Sequence, residues 1–331
     1  MANTIKQKRG TSDPGASDLV VGELAINTTD GGVFTKTDGG TVVEVGSGGG
    51  GGASELNDLS DALTNNSGQS IGIGTNALSN DDGTNGNTAL GYVAFRDITS
   101  GSGGTAVGYG AGQQTTTGTG CTFIGMSAGY ANTTGQSNTY IGKGAGSQST
   151  TTSYNVVIGQ NSGTASGIEY CTFVGDNAGA NSSSSSSTYI GRRAGREVDG
   201  DNNTFVGNSA GKGAASSPAT LNVAIGSQSL LSIDSADSNV AVGYTAGYNV
   251  TTGDDNTFLG ESAGDSVTTG SNNLCLGHNA DASSATVSNE ITLGDSNITS
   301  LRIPGLQSGA TNGQVLTYNS TNGNITLADV S

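Results

Sequence analysis

The chain has no tryptophan, a single histidine (His278), three prolines, three cysteines and two methionines among 331 residues, and only eleven basic side chains. Each scarcity removes a class of function. One histidine leaves no Ser/His or Cys/His catalytic pair within the chain and none of the usual multi-His metal sites. Eleven Lys and Arg against 27 acids give a net charge of −16 and a pI near 4.1, which argues against nucleic acid as a partner because backbone binding draws on cationic side chains releasing counterions. No stretch is apolar enough to span a bilayer. Met1 to Gly10 carries positive charge with no apolar run behind it, so it does not read as a secretory signal. Synthesis and folding in the cytoplasm, without membrane insertion, are therefore expected. In that reducing compartment Cys121, Cys171 and Cys275, odd in number, are expected to be small packing residues rather than disulfides. With 32% apolar residues, two compact globular cores are not expected either.

What the chain does contain is glycine, 57 residues of it, on a beat. The motif aliphatic-Gly-x-x-Ala/Ser places its Gly at 74, 91, 108, 125, 142, 159, 175, 191, 207, 226, 243, 260, 277 and 294, a spacing of seventeen, sometimes sixteen and once nineteen. Disordered chains of similar polarity lack apolar residues in register; here the residue before the Gly is Ile, Val or Leu from Ile73 through Leu293. The fold class expected is all-β: a parallel β-solenoid, or β-roll, of about fourteen coils of ~17 residues.

Each coil reads as one short strand. The residue before the Gly and the β-branched residue two earlier share a face, expected as a buried ladder; the other face carries Phe123, Tyr140, Phe173, Tyr189, Phe205 and Phe258 interspersed with Ala. Two apolar faces on so short a coil imply that one lines the interior and the other meets a neighbouring copy. An intertwined or side-by-side homotrimer is the expected assembly. Phe123/Ile124, Tyr140/Ile141, Phe173/Val174, Phe205/Val206 and Phe258/Leu259 are its candidate core and interface residues, with the choice between the faces open. Gly after the strand and the Ala-Gly pair beyond it suit a corner with positive φ or close backbone approach, where bulky side chains would not fit. Asn recurs just before the strand, at Asn87, Asn138, Asn155, Asn203, Asn222, Asn239, Asn256 and Asn273, where stacked amides can bond from coil to coil.

Five segments follow. Residues 1–45 read as a small β module, with turns at Asp30-Gly31-Gly32 and Asp38-Gly39-Gly40. Residues 46–53 are a Gly-rich linker. In 54–66, Ser54 caps a short helix whose Leu56, Leu59 and Leu63 fall at coiled-coil spacing, a neck for three chains. The solenoid occupies 67–300. The segment 301–331 ends in a hairpin around Asn322-Gly323, expected to cap it.

The form Asn-x-Thr-Phe-Ile-Gly-x-x-Ala-Gly, over residues 71–298, resembles the head repeats of trimeric autotransporter adhesins and related repeats of phage tail fibres. Lys8-Arg9-Gly10-Thr11, Val21-Gly22-Glu23-Leu24-Ala25-Ile26 and Gly32-Val33-Phe34 look like the N-terminal module of tailed-phage fibres, the end nearest the virion. That resemblance implies a trimer and makes Lys8, Arg9, Glu23 and Phe34 candidate contacts with other virion proteins.

The expected function is structural: a virion fibre or spike of the tail, attaching to a host surface receptor or glycan, with no catalytic residues, metal or cofactor. A capsid fibre or decoration protein is the alternative, and a bacterial trimeric surface adhesin another, though the latter needs an export signal and an anchor. His278 occupies a variable solvated position, shared with Tyr109, Met126, Lys143 and Asp176. Asp199, Asp201, Asp254 and Asp255 are read as turn residues, since the calcium-binding nonapeptide is missing. No recurring carboxylate pair suggests a glycosidase.

Overall fold

A computed structural model describes residues 70–300 except 84, together with 7–12, 14–15, 17–21, 23–27, 33–37 and 39–44, and the strands 62–64, 314–318 and 325–329. Every regular element among them is a strand. The chain divides into two compact units, Met1–Asn203 and Thr204–Ser331.

The first unit opens with four strands, β1 (Gln7–Gly10), β2 (Leu24–Asn27), β3 (Val33–Lys36) and β4 (Val42–Glu44). They form one sheet in chain order, antiparallel from β2 onward, with β1 added in parallel to β2. The β3–β4 turn closes on Gly40, whose N–H donates to the Thr37 carbonyl at 2.8 Å.

Next come β5 (Ala62–Thr64) and eight coil strands: β6 (Ile71–Ile73), β7 (Thr88–Leu90), β8 (Thr105–Val107), β9 (Thr122–Ile124), β10 (Thr139–Ile141), β11 (Val156–Ile158), β12 (Thr172–Val174) and β13 (Thr188–Ile190). The coil strands stack in parallel with one-repeat register: Thr139, Tyr140 and Ile141 lie against Thr122, Phe123 and Ile124. The second unit holds six more, β14 (Thr204–Val206), β15 (Val223–Ile225), β16 (Val240–Val242), β17 (Thr257–Leu259), β18 (Leu274–Leu276) and β19 (Ile291–Leu293), in the same parallel order. Fourteen coils are thus present, as the beat of Gly requires. The second unit also contains an antiparallel pair, β20 (Gln314–Tyr318) and β21 (Ile325–Asp329), the hairpin expected near the C-terminus.

At residues 62–64 the structure departs from the helical neck expected over 54–66, the rest of which lies outside the described residues. Leu63 belongs to a strand, and β5 pairs antiparallel with β6. The first coil presents an open parallel edge, and pairing that edge satisfies backbone groups that a helix would leave exposed. Leu56 and Leu59 lie outside the described residues.

Hydrogen bonding extends around the coil beyond the strand. Gly142 N–H donates to the Ile124 carbonyl at 2.7 Å, Gly129 N–H to Ala145 at 2.9 Å, and Thr116 N–H to Thr133 at 2.9 Å. The Thr-rich turns add a side-chain row in which Thr116 Oγ1 donates to the Thr133 carbonyl and Thr133 Oγ1 to that of Thr150.

The interior explains the Gly pattern. The middle residue of each strand from β7 to β18 points inward and is fully buried, whether Phe123, Tyr140, Phe173, Tyr189, Phe205 and Phe258 or Ala89, Ala106, Ala224 and Ala241. Rings of successive coils stack, Phe123 on Tyr140 at 5.3 Å and Phe173 on Tyr189 at 4.6 Å. At Gly125, with φ of +127°, a Cβ would lie 2.7 Å from the carbonyl oxygen of Gly142 in the next coil; at Gly129 it would lie 2.6 Å from the ring of Phe123. Bulky residues do enter the Ala-Gly corner, contrary to the sequence reading: Leu78, Phe95 and Leu230 stand there, buried. Their strands carry Gly72, Ala89 and Ala224 at the middle. In these coils the large side chain sits in the turn instead of the strand, and where both positions are small, at Ala106 with Gly112 and Ala241 with Gly247, the large side chains of the adjacent coils close over the gap, as close packing demands.

Candidate functional site on the outward strand face

The first and third residues of every three-residue strand alternate with the buried middle one and so face outward. The aliphatic residue before each Gly, expected as a buried ladder, is partly exposed in the chain: 38% for Ile124, 47% for Leu90, 46% for Leu259. Ile141, Val174 and Val206 are half-buried. This fixes the choice the sequence left open. Phe123, Tyr140, Phe173, Phe205 and Phe258 are core of their own chain, and Ile124, Ile141, Val174, Val206 and Leu259 form the outward ladder. The aromatic side chains of the strands fill the interior, where the corner glycines make room for them.

Outward residues after the repeat Gly extend this face. Tyr92 and Tyr109 stack at 5.2 Å, both exposed, and Met126 is exposed in the following coil. Farther along the first unit Lys143, Asp176 and Arg192 hold the same repeat position, the last two ion-paired at 3.5 Å on the surface; in the second unit that repeat position holds His278, which is exposed.

The polar residues serve the stack. Asn239 Oδ1 accepts from the N–H and the Nδ2 of Asn256 at 3.0 Å each, and its own Nδ2 donates to Asn222 Oδ1 and to the Gly253 carbonyl. The ladder ends at Glu290, whose N–H donates to Asn273 Oδ1 and whose carboxylate, bonded by the hydroxyl and N–H of Ser283, is held below its usual pKa range. Carboxylates of the acidic turns accept backbone N–H groups from the preceding coil: Asp199 from Ser183, Asp201 from Ser185, Asp254 from Asp237. Among the described residues no three His, Cys, Asp or Glu gather as a metal site would require.

Cys121 and Cys171 stand in the Asn ladder, Cys275 at the middle of its strand, all buried with free thiols. Burial pushes the thiols of Cys171 and Cys275 up to about 11 and that of Cys121 upward as well. Thiols held protonated are poor nucleophiles.

Of the residues singled out in the N-terminal module, Arg9 is exposed and Phe34 half-buried. Glu23 is buried, its Oε2 accepting from the Val20 N–H at 3.1 Å. The side chain of Lys8 lies outside the described residues. Arg9 also borders a cavity of about 170 Å³ lined by Pro14, Asp18, Leu19, Ala25 and Ile26.

Compared with protein-family models, with curated proteins and with solved structures, the chain matches none.

Proposed function

We propose that this chain is a structural, non-enzymatic fibre of a virus particle, on the tail or the capsid, in which three copies pack through their outward aliphatic ladders and the assembled surface engages a host cell. The observation that carries the assembly is the ladder itself. An Ile, Val or Leu stands half in water at every coil, and continuous exposed apolar surface of this kind marks an interaction site. Its burial is worth about 25 cal/mol per Å². A copy of the same chain offers the matching stripe at the same rise, so the rungs of one can fall between those of another over many coils.

The virion attachment rests on the resemblance of residues 8–34 to phage-fibre N-termini. Host engagement in such a protein is multivalent: weak contacts repeated on one particle add through effective concentration, without any single dominant residue.

Light scattering on the full-length protein tests the assembly, with the Ile124→Asp/Ile141→Asp variant alongside. A mass of three chains is expected, falling to one in the variant while the β signature by circular dichroism persists. Binding of the wild type to particles lacking it tests the attachment. A monomeric wild type would overturn the packing proposal, and a trimer that ignores such particles would overturn the virion role.

A further inference from the structure

Two residues before each coil strand from β7 to β19 the backbone is left-handed. In the first unit that position holds Gly86, Gly103, Gly120, Ser137, Ser186 and Asn202, and, in two successive coils, Tyr154 and Tyr170 at φ of 61° and 55°. Leu221 holds the same position in the second unit at φ of 60°, so the left-handed backbone belongs to the coil; what sets Tyr154 and Tyr170 apart is that two rings stand there in succession. The two rings are parallel within 3°, their centroids 5.4 Å apart, and the residues are 55% and 59% exposed. Parallel rings at a van der Waals spacing of about 3.5 Å must then be slipped by roughly 4 Å, like shingles, leaving part of each face uncovered. At either end of the pair the same position carries a serine, Ser137 or Ser186, too small to cover the outer ring faces.

A carboxylate accompanies the rings. Glu169 precedes Tyr170, and its side chain makes no hydrogen bond or ion pair among the described residues. At the equivalent position one coil before and two coils after, the side chain is committed to the stack: Ser153 Oγ accepts from the Gln136 N–H at 2.9 Å, and the Asp201 carboxylate from the Ser185 N–H at 2.7 Å.

We propose that Tyr154, Tyr170 and Glu169 form a saccharide subsite for an uncharged hexopyranose of a surface glycan. The C–H face of the sugar lies on the tyrosine ledge, and the Glu169 carboxylate accepts from ring hydroxyls. Charge selects the class: a uronate or sugar phosphate would meet an unneutralised carboxylate on a chain of net charge −16. This deepens the host-attachment reading, and rests on it for the purpose of the glycan.

Because the chain has no tryptophan, tyrosine fluorescence reports the ledge. Full-length protein is titrated with short linear oligomers of glucose, mannose and galactose, with oligoglucuronate as the charged counterpart. Saturable binding of a neutral oligomer is expected, weakened at least tenfold in Tyr154→Ser/Tyr170→Ser and several-fold in Glu169→Gln, with no binding of the glucuronate. Serine already serves this left-handed position, so the double variant should melt no lower than the wild type. Absence of binding to every neutral oligomer, binding unchanged in the double variant, or a change in its assembled mass would each overturn the subsite, the last by making the ledge a contact between copies. A chain that binds sugar but not the particles lacking it would sink the virion role alone and leave the subsite standing.

Discussion

At Gly129 two constraints coincide, a φ of +58° and the ring of Phe123 where a Cβ would sit. Gly129→Ala is therefore expected to destabilise by about 3 kcal/mol or more, since overpacking and a disallowed backbone add. The check is the denaturant midpoint, and pairing the change with Phe123→Ala should recover part of the loss, because Ala89 already stands opposite Phe95 in another coil. Burial also acts on the phenols of Tyr140 and Tyr189, pushing both up to about 12 from an ordinary value near 10. The folded state favours the neutral phenol, so the full contribution is present below about pH 10 and is lost as pH rises through about 12, on the order of 3 kcal/mol for each ring. Alkaline titration followed by phenolate absorbance should show a step of two phenols, removed by Tyr140→Phe/Tyr189→Phe, that appears only as the protein unfolds. If those two phenols ionise in the folded protein near their ordinary value, the burial argument is wrong.

The coil as an element depends on its amide ladder more than on its three-residue strand. Removing Asn239 strands the N–H of Asn256 and the carbonyl of Gly253 in the interior and leaves the Asn256 Nδ2 only the Gly270 carbonyl; Asn239→Ala should cost about 3 kcal/mol, read as a lowered melting temperature, whereas Asn272→Ser on the exposed turn should cost little. The ladder, the strand positions and the Gly beat were legible in the sequence because repetition keeps each role at a fixed offset. Which face turns inward was not, since Phe123 and Ile124 are both apolar and period two alone assigns no direction. A signal was nonetheless present: Gly72 with Leu78, Ala89 with Phe95, Ala224 with Leu230, and Phe123 with Gly129 trade volume across six residues, a sign of a shared interior, although Ala106 with Gly112 and Ala241 with Gly247 are small at both positions. The strand at Ala62–Thr64 was hidden for another reason, because three leucines at helical spacing say nothing of the open sheet edge that recruits one of them. The tyrosine ledge was equally hidden, since positive φ is a property of the coil that no spacing of aromatics reveals.

In the whole molecule, coils bond chiefly to their neighbours, so stability should behave as a sum of nearest-neighbour terms. Deleting Thr139–Asn155, one period, joins Asn138 to Val156 and restores the motif; a single cooperative transition is expected, with a melting temperature within about 5 °C of the parent. Deleting Thr139–Gly146 instead removes a strand and its corner while leaving the remaining turn, and should abolish that cooperativity. Should both deletions melt alike, the coils are not the cooperative unit. One asymmetry of the ladder bears on how such a stack is made. Along the run from Asn222 to Glu290, the side-chain oxygen at the ladder position accepts the main-chain N–H of the coil that follows it in sequence. In this row a nascent coil leaving the ribosome meets a side-chain acceptor already in place, whereas the backbone carbonyls and turn carboxylates that the preceding coil bonds to arrive only with the next one. The amide row alone has a direction, the direction of translation, and Glu290, whose carboxylate turns back to Ser283 within its own coil, is where that row ends.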